Sequence, residues 1–439
     1  MQFYTGSSPF AILNRSTIAA LLMGLESPFA PPATLFDELL SKSQYFSKSE
    51  IENLQMRRIS SLLKYARLSP FYESLMENVK SARDFEKLPP MDKPGIRLAV
   101  EQGRITNKKL LYRGLPQRTS GSTGIPLNFF MDKFALPRYA ARYRRMLNWT
   151  GKKEDDVVIL LMPRPHPGLE QENKFIKCGT PEGVTAILEQ LYALSDKRHI
   201  IVQSRTSHLL RLAQLIEQNR KRIKFRGLIS YTEQLFPEMR QYMERIFDAP
   251  VFDYYACNEI TGIGFECQYK NGFHVQSEFI YLEIGDENNL PVIPGTEGSV
   301  LVTSLDNKIM PFIRYRLGDI ASWVDEQCKC GRTLPLIKIS GRTVGTFLRP
   351  DGTPGFFYDL IWPIAIKTHV IRRYHVVRHS PAKYEVSVVP TESFKDKDAE
   401  FIKQRFYDYL GKIDLEFSLV DNIKEGDGKL YGFKNLFKD

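Results

Sequence analysis

Four short stretches of this chain carry residue types that could do chemistry on a phosphorylated nucleotide. The sharpest is Thr119-Ser120-Gly121-Ser122-Thr123-Gly124-Ile125-Pro126. Glycines let a backbone fold tightly enough for its N–H groups to face one anion, and the hydroxyls add donors for phosphate oxygens. No lysine follows in the Walker arrangement, so a P-loop is excluded; a Ser/Gly-rich surface turn remains the plain alternative. The second stretch is Tyr255-Ala256-Cys257-Asn258-Glu259, at the end of an expected strand. A carboxylate there can hold Mg²⁺ beside a triphosphate, although a lone Glu is as readily a solvated loop residue. The third runs from Met310 through Arg314-Tyr315-Arg316-Leu317-Gly318-Asp319. A carboxylate such as Asp319 can accept hydrogen bonds from both ribose hydroxyls, or can simply sit in a Gly-Asp turn. The fourth is Gly428-Lys429 beside Gly426, in what reads as a flexible C-terminal loop.

The elements that must hold these residues follow from hydrophobic spacing. Leu35, Leu39, Leu40, Ile51, Leu54, Ile59, Leu62, Leu63 and Tyr65 recur with a helical period over residues 33 to 80, until Pro89, Pro90 and Pro94 break it. A second helix is expected over 133–149. Beyond it strands and helices alternate: strand at Val157–Met162, helix at Ser207–Asn219, strand at Phe225–Ser230, helix at Pro237–Phe247, strand at Val251–Tyr255. That alternation favours a parallel α/β sheet. From 279 onward the pattern turns to strands joined by turns, at 279–284, 298–303 and 319–324. A compact β-β-α-β unit follows at 369–378, 384–390, 398–410 and 415–420, with a boundary expected at 341–346, where Gly341 and Gly345 could hinge.

Composition bounds the rest. The chain has 439 residues, 43% hydrophobic and 26% charged, with no repeat or low-complexity tract, which implies two or three ordinary domains. The net charge of +10 comes from 61 basic and 51 acidic residues spread along the chain. The densest clusters, Arg142, Arg144 and Arg145, then Arg220, Lys221, Arg222 and Lys224, read as solvated helix faces with affinity for an anionic cofactor, not as a nucleic-acid site. The apolar stretch from Ile18 to Leu25 is too short to span a membrane, and is expected to pack as a helix on the main domain. Five cysteines, an odd and sparse set, argue for a reducing, cytoplasmic setting. Among them, Cys267, Cys328 and Cys330 with His274 offer three thiolates and one imidazole, the donor set of a closed structural zinc site. Unmetallated buried thiols with a hydrogen-bonded histidine are the alternative. Cys178 and Cys257 read as packing residues.

Together and in this order, the four stretches resemble the acyl-adenylate-forming superfamily, in its phenylacetate–CoA ligase and CapK-like branch, which includes coenzyme F390 synthetase-like proteins. Leu63-Lys64-Tyr65-Ala66, Pro70-Phe71-Tyr72, Met91-Asp92-Lys93 and Ser230 to Leu235 fit the same branch, and the likeness runs from about residue 55 to the end. The resemblance implies a large multi-layer α/β N-terminal domain (1–341, with a helical extension over about 1–90). It also implies a small, mobile α+β domain (342–439) that rotates on the hinge. It implies that Thr119, Ser120, Gly121, Ser122, Thr123 and Gly124 grip the ATP phosphates, with Thr123 close to the chemistry. It gives Thr232 and Glu233 an adenine-side wall, Glu259 the Mg²⁺ with Tyr255 beside it, and Asp319 the ribose. Arg342 would contact the nucleotide, and Lys429 the reacting carboxylate and α-phosphate.

Ala256 and Asn258 depart from the usual Gly and Thr or Ser, Thr343-Val344-Gly345 lacks the acidic hinge residue, and no Arg follows the lysine motif. These departures bear on the second half-reaction more than on nucleotide binding. The resemblance also favours the zinc set Cys267, His274, Cys328 and Cys330. The implied reaction activates a carboxylic acid, aryl or otherwise hydrophobic, as acyl-AMP and passes the acyl group to the thiol of coenzyme A. Transfer to an amine or carrier thiol, or of AMP itself to an acceptor, are the alternatives; the protein is expected to act as a monomer or homodimer.

Overall fold

The computed structural model describes residues 33–119, 127–165, 173–178, 183–342, 346–352, 354–356, 360, 370–423 and 431–437. The stretch from Ile18 to Leu25, the loop residues Ser120 to Pro126 and Lys429 lie outside them.

The helical region after residue 33 is several helices. α1 (Ala33–Ser43) and α2 (Lys48–Ala66) are separated by a turn because Ser47 and Glu50 form a reciprocal capping box that starts a new helix. Ile51, Leu54, Ile59, Leu62, Leu63 and Ala66 make the buried stripe of α2. A single turn at Pro70–Glu73 follows. The helix expected over 133–149 begins at Leu136, after a 3-10 turn capped by Asp132.

At the centre is one sheet of eleven strands, in the order β10-β11-β12-β13-β9-β8-β7-β6-β5-β3-β4. β3 (Val157–Met162), β4 (Lys174–Lys177), β5 (Ile200–Arg205), β6 (Phe225–Tyr231) and β7 (Val251–Tyr255) are parallel. From β8 (Gly264–Glu266) on, every pairing is antiparallel, through β9 (Phe273–Val275), β10 (Ile280–Gly285), β11 (Gly298–Ser304), β12 (Tyr315–Val324) and β13 (Leu336–Arg342). The expected parallel sheet is therefore half of a mixed one. The parallel half is covered on both faces, which explains its almost unbroken apolar strands. Ile159, Leu161, Ile200 and Val202 pack on helices 183–195, 206–219 and 237–247, while Val158, Leu160, Ile201 and Ile229 pack with α1 and helix Leu136–Trp149.

Three smaller pieces complete the architecture, one of them the antiparallel pair β14 (Thr346–Leu348) and β15 (Pro354–Phe356). β1 (Gly114–Arg118) and β2 (Asn128–Asp132) form an antiparallel ribbon whose connection carries the Ser/Gly-rich sequence. The C-terminal unit is a separate four-stranded sheet, β18-β17-β16-β19, with helix Asp396–Leu410. Its strands β16 (Ile371–Ser380), β17 (Lys383–Pro390) and β18 (Asp414–Leu419) match the expected ones. The fourth, β19 (Tyr431–Asn435), is a strand that the sequence does not announce, and it pairs parallel to β16. The buried side chains of β16, β17 and helix Asp396–Leu410 belong to the same apolar cluster as helices 183–195, 206–219 and 237–247, so among the described residues the unit lacks the isolated small core that its sequence suggests.

The arginines of helix Leu136–Trp149 also differ from expectation. Arg142 and Arg145 are not on a solvated face: they are 2% and 4% exposed. Arg145 pairs with Glu278 at 2.6 Å, and Arg144 with Asp37 at 2.9 Å. Buried charge persists only when paired, and the partners come from distant segments. Residues 220–222 and 224 are exposed as expected.

Candidate active site and metal centre

The turn after β7 and the first half of β12 bring two of the sequence-predicted carboxylates together. After Tyr255 the chain closes a tight turn, with Cys257 N–H donating to Ile260 O (3.1 Å) and Ile263 N–H to Tyr255 O (3.1 Å). This turn presents Glu259, which is 7% exposed. Asp319 lies on β12, directly after Gly318, whose φ of +79° suits glycine. Tyr255 spans the gap, its hydroxyl donating to Asp319 Oδ2 at 2.7 Å.

Two further residues complete the group, and sequence reasoning gave neither a role. Tyr315 donates its hydroxyl to Glu259 Oε1 at 3.0 Å, and Lys93 Nζ is 3.3 Å from the same oxygen. Burial, followed by the Glu259 charge, pushes the Tyr315 phenol far above its ordinary value, so it remains a donor. Burial likewise raises the Cys257 thiol well above its usual range, which fits a packing residue better than a nucleophile. Lys93 opens the helix Lys93–Glu101, capped by Asp92 accepting from Gly95 N–H at 2.8 Å. Met91 pins that start to β12, accepting from Arg316 N–H (2.7 Å) and donating to Arg314 O (3.0 Å). The nearest sequence signal was the Met91-Asp92-Lys93 stretch itself. Both contacts to Glu259 fall on Oε1; Oε2 has no hydrogen bond among the described residues and can serve a cation.

The other expected residues are distributed around this centre. Arg342 is paired in register with Asp319 across β12 and β13; its side chain lies outside the described residues. Thr119 closes the base of the Ser/Gly loop: its N–H donates to Leu127 O (2.9 Å), and its Oγ1 accepts from Leu127 N–H (2.8 Å). The ribbon reaches the site through ring contacts, Phe129 to Phe312 at 5.9 Å and Phe312 to Tyr315 at 5.3 Å. Thr232 is exposed, with a φ of +74°, uncommon for a β-branched residue. Glu233 already has a structural bond, since its Oε2 accepts from Ser207 N–H (2.8 Å) at the start of helix Thr206–Asn219.

Asp319 supports a direct prediction. If it accepts bonds from both ribose hydroxyls, Asp319→Ala leaves them unpaired in a buried site and weakens ATP strongly, but a 2′,3′-dideoxy analogue much less. Calorimetric titration of both nucleotides into both proteins gives the coupling energy. A coupling near zero with the fold intact would reduce Asp319 to a partner of Tyr255.

A second centre lies on the same sheet, away from these carboxylates in sequence. Cys267, which follows β8, His274 on β9, and Cys328 and Cys330 in the β12–β13 loop have all their ligand atoms within 4.8 Å of one another. Cys267 Sγ is 3.5 Å from Cys328 Sγ, and Cys330 Sγ is 3.4 Å from His274 Nε2. Tetrahedral zinc with Zn–S of about 2.3 Å requires sulfur–sulfur separations of about 3.7 Å. His274 Nδ1 donates to Leu334 O at 3.2 Å, which leaves the Nε2 lone pair for a metal. Burial pushes the Cys267 thiol up to about 12 and the His274 imidazolium down to about 4. The residues fit zinc in donor type, number and spacing.

No protein-family model matches the chain. It is 23% identical over 324 residues to a phenylacetate–coenzyme A ligase of Aromatoleum evansii, a match covering 68% of this chain and 71% of that protein. It is 29% identical over 162 residues to the phenylacetate–coenzyme A ligase of Pseudomonas putida, covering 35% and 36%. Among solved structures, 2-hydroxyisobutyryl-CoA ligase in the postadenylation state with 2-HIB-AMP superposes with a TM-score of 0.73. There the identity is 20%, with 92% of this chain and 94% of that one covered. The same enzyme with 2-HIB-AMP and CoA in the thioesterification state gives 0.62, again at 20% identity, covering 93% and 94%. The fold is that of the acyl-adenylate-forming ligases. Within that class, the chain's sequence is similar to phenylacetate–coenzyme A ligases, as its motifs suggest.

Proposed function

We propose that this chain is an ATP-dependent ligase that converts a carboxylic acid, aryl or otherwise hydrophobic, to its acyl-AMP with release of pyrophosphate. The acyl group then passes to the thiol of coenzyme A. The observation that carries this reading is the convergence of Glu259 and Asp319 through Tyr255, Tyr315 and Lys93, in a fold shared with acyl-adenylate-forming ligases. A carboxylate oxygen attacking an α-phosphate brings two anions together, so the protein must supply positioning and positive charge.

The residues present fit that task. Glu259 Oε2 can hold Mg²⁺, which supplies charge neutralisation at the phosphates when bound; Asp319 can orient the ribose. Lys93 balances Glu259 within the protein. The Thr119–Gly124 loop would grip the phosphates, Thr232 and Glu233 would flank the adenine, Arg342 would contact the nucleotide and Lys429 the reacting oxygens. The segment 342–439 would move between the two half-reactions. Zinc on Cys267, His274, Cys328 and Cys330 would be structural, since four protein donors close its coordination shell. No helix among the described residues is long and apolar enough to cross a membrane, and we place the enzyme in the cytoplasm, as monomer or homodimer.

The test is acid-dependent pyrophosphate release over a panel of acids, with and without coenzyme A, with products identified by mass. Release with acyl-CoA formation supports the whole reading. Release with an acyl-amine or an adenylylated acceptor in its place moves the second step to the alternative chemistry. No release with any acid overturns adenylation.

A further inference from the structure

The parallel half of the sheet carries a second set of polar groups that nucleotide chemistry leaves unexplained. They lie on the face covered by helix Leu136–Trp149. Gln203 on β5 stands in register between Leu160 and Ile229, both of which pack on that face. Tyr231 and Tyr254, at the ends of β6 and β7, pack there too. Opposite them the helix contributes Arg142 and Tyr143. The turn that carries Glu259 closes the group: Gly262 N–H donates to the Tyr254 hydroxyl at 2.9 Å, and a Cβ on Gly262 would stand 3.8 Å from the Arg142 guanidinium.

The helix, β5 and the turn each bring a buried polar atom with no hydrogen-bond partner among the described residues: Arg142 Nε and Nη1, Tyr143 Oη, Gln203 Oε1 and Thr261 Oγ1. Arg142, Tyr143 and Gln203 are 2%, 4% and 1% exposed. A buried orphan atom is destabilising, and native proteins keep few of them. Here Arg142 and Tyr143 on the helix and Gln203 on the strand belong to this one face, and Thr261 stands two residues from the candidate Mg²⁺ ligand Glu259. Arg58, Arg138 and Arg142 all face the single carboxylate of Asp306, at 2.7, 2.6 and 3.5 Å. The Arg142 guanidinium lies 4.6 Å from the Tyr139 ring centroid and 4.9 Å from that of Phe279, and its Nε and Nη1 remain available to an acceptor.

We propose that Arg142, Tyr143, Gln203 and Thr261 recognise the acyl body of the substrate, and that the acid bears, away from its reacting carboxylate, a second oxygen-containing group (hydroxyl, carbonyl or carboxylate). This deepens the adenylation reading and rests on it. A site built to hydrogen-bond a substrate oxygen rejects the analogue that lacks it, because its own polar groups then stay unpaired.

The experiment uses matched acids: phenylacetate against 4-hydroxyphenylacetate, benzoate against 4-hydroxybenzoate, hexanoate against adipate. Acid-dependent pyrophosphate release gives kcat/KM for each with the parent, Tyr143→Phe and Thr261→Val. These variants delete only oxygens without partners among the described residues, so melting temperatures should hold or rise. The oxygenated member is expected to be preferred in at least one pair, and its preference to fall by a factor of about 10 to 100 in Tyr143→Phe. A parent that prefers the apolar member in every pair, or ratios the variants leave intact, overturns the inference while adenylation stands. Silence with all six acids removes both, and is distinguishable from either.

Discussion

Lys429→Ala is expected to lower acid-dependent pyrophosphate release by a factor of about 10² to 10³, the scale of losing one preorganised stabiliser of developing charge. The argument begins with the charges in the reaction. Substrate carboxylate and α-phosphate repel as they approach, and a positive group held between them acts mainly in the transition state. Its removal should therefore reduce kcat and kcat/KM together, and leave calorimetric ATP affinity almost unchanged. In sequence Lys429 stands two residues before β19, whose parallel pairing with β16 joins the end of the chain to the C-terminal sheet. Lys429→Arg is the informative companion, because it keeps the charge but spreads it over a planar fork. Substantial activity in the alanine variant would show that another cation carries the step, and Lys93 beside Glu259 would be the first to test.

How much of this was legible in the sequence depended on how far apart the cooperating residues lie. Glu259 and Asp319 sit inside contiguous stretches whose residue types and order carry their own signal; Glu259 follows a strand expected at its observed bounds, whereas the strand that carries Asp319 begins four residues before the expected start. Tyr315 was inside a quoted stretch, yet nothing local says that its hydroxyl crosses to Glu259. Lys93 reaches that carboxylate only because Met91 bridges to the start of β12, a pairing between distant segments. Arg142 and Arg145 read as solvated in the sequence because charge runs usually are; their partners Asp306 and Glu278 come from the turns after β11 and β9, far along the chain. β8 and β9 span three residues each, too short for a period to register, and they are the strands that join the parallel and antiparallel halves. β19 contains Gly432 and Lys434 and depends on a parallel neighbour rather than on its own propensity.

Zinc should copurify at about one atom per chain, and Cys330→Ser should lose it together with stability on the order of 3 kcal/mol or more. Without metal, the cluster brings three thiols and an imidazole together at a largely buried point where little compensates their desolvation. Metal binding deprotonates the thiols and converts that cost into folding free energy, so chelation should act as a denaturant. The consequences should be local first. The Cys328–Cys330 loop continues into Arg332 and Thr333, and both hold the end of α1. Arg332 Nε donates to Gln44 Oε1 (2.9 Å), and Thr333 N–H to Gln44 O (2.9 Å). Trp149 Nε1 also donates to Gln44 Oε1 (2.9 Å), and its ring meets His274 edge-on at 5.4 Å. Loss of zinc should therefore free α1 and the 325–335 loop to proteases before the parallel strands open. Elemental analysis, melting with and without a chelator, and limited proteolysis measure the three effects. A well-folded, metal-free parent whose Cys330→Ser variant melts at the same temperature would mean that the four side chains pack as reduced thiols around a hydrogen-bonded histidine.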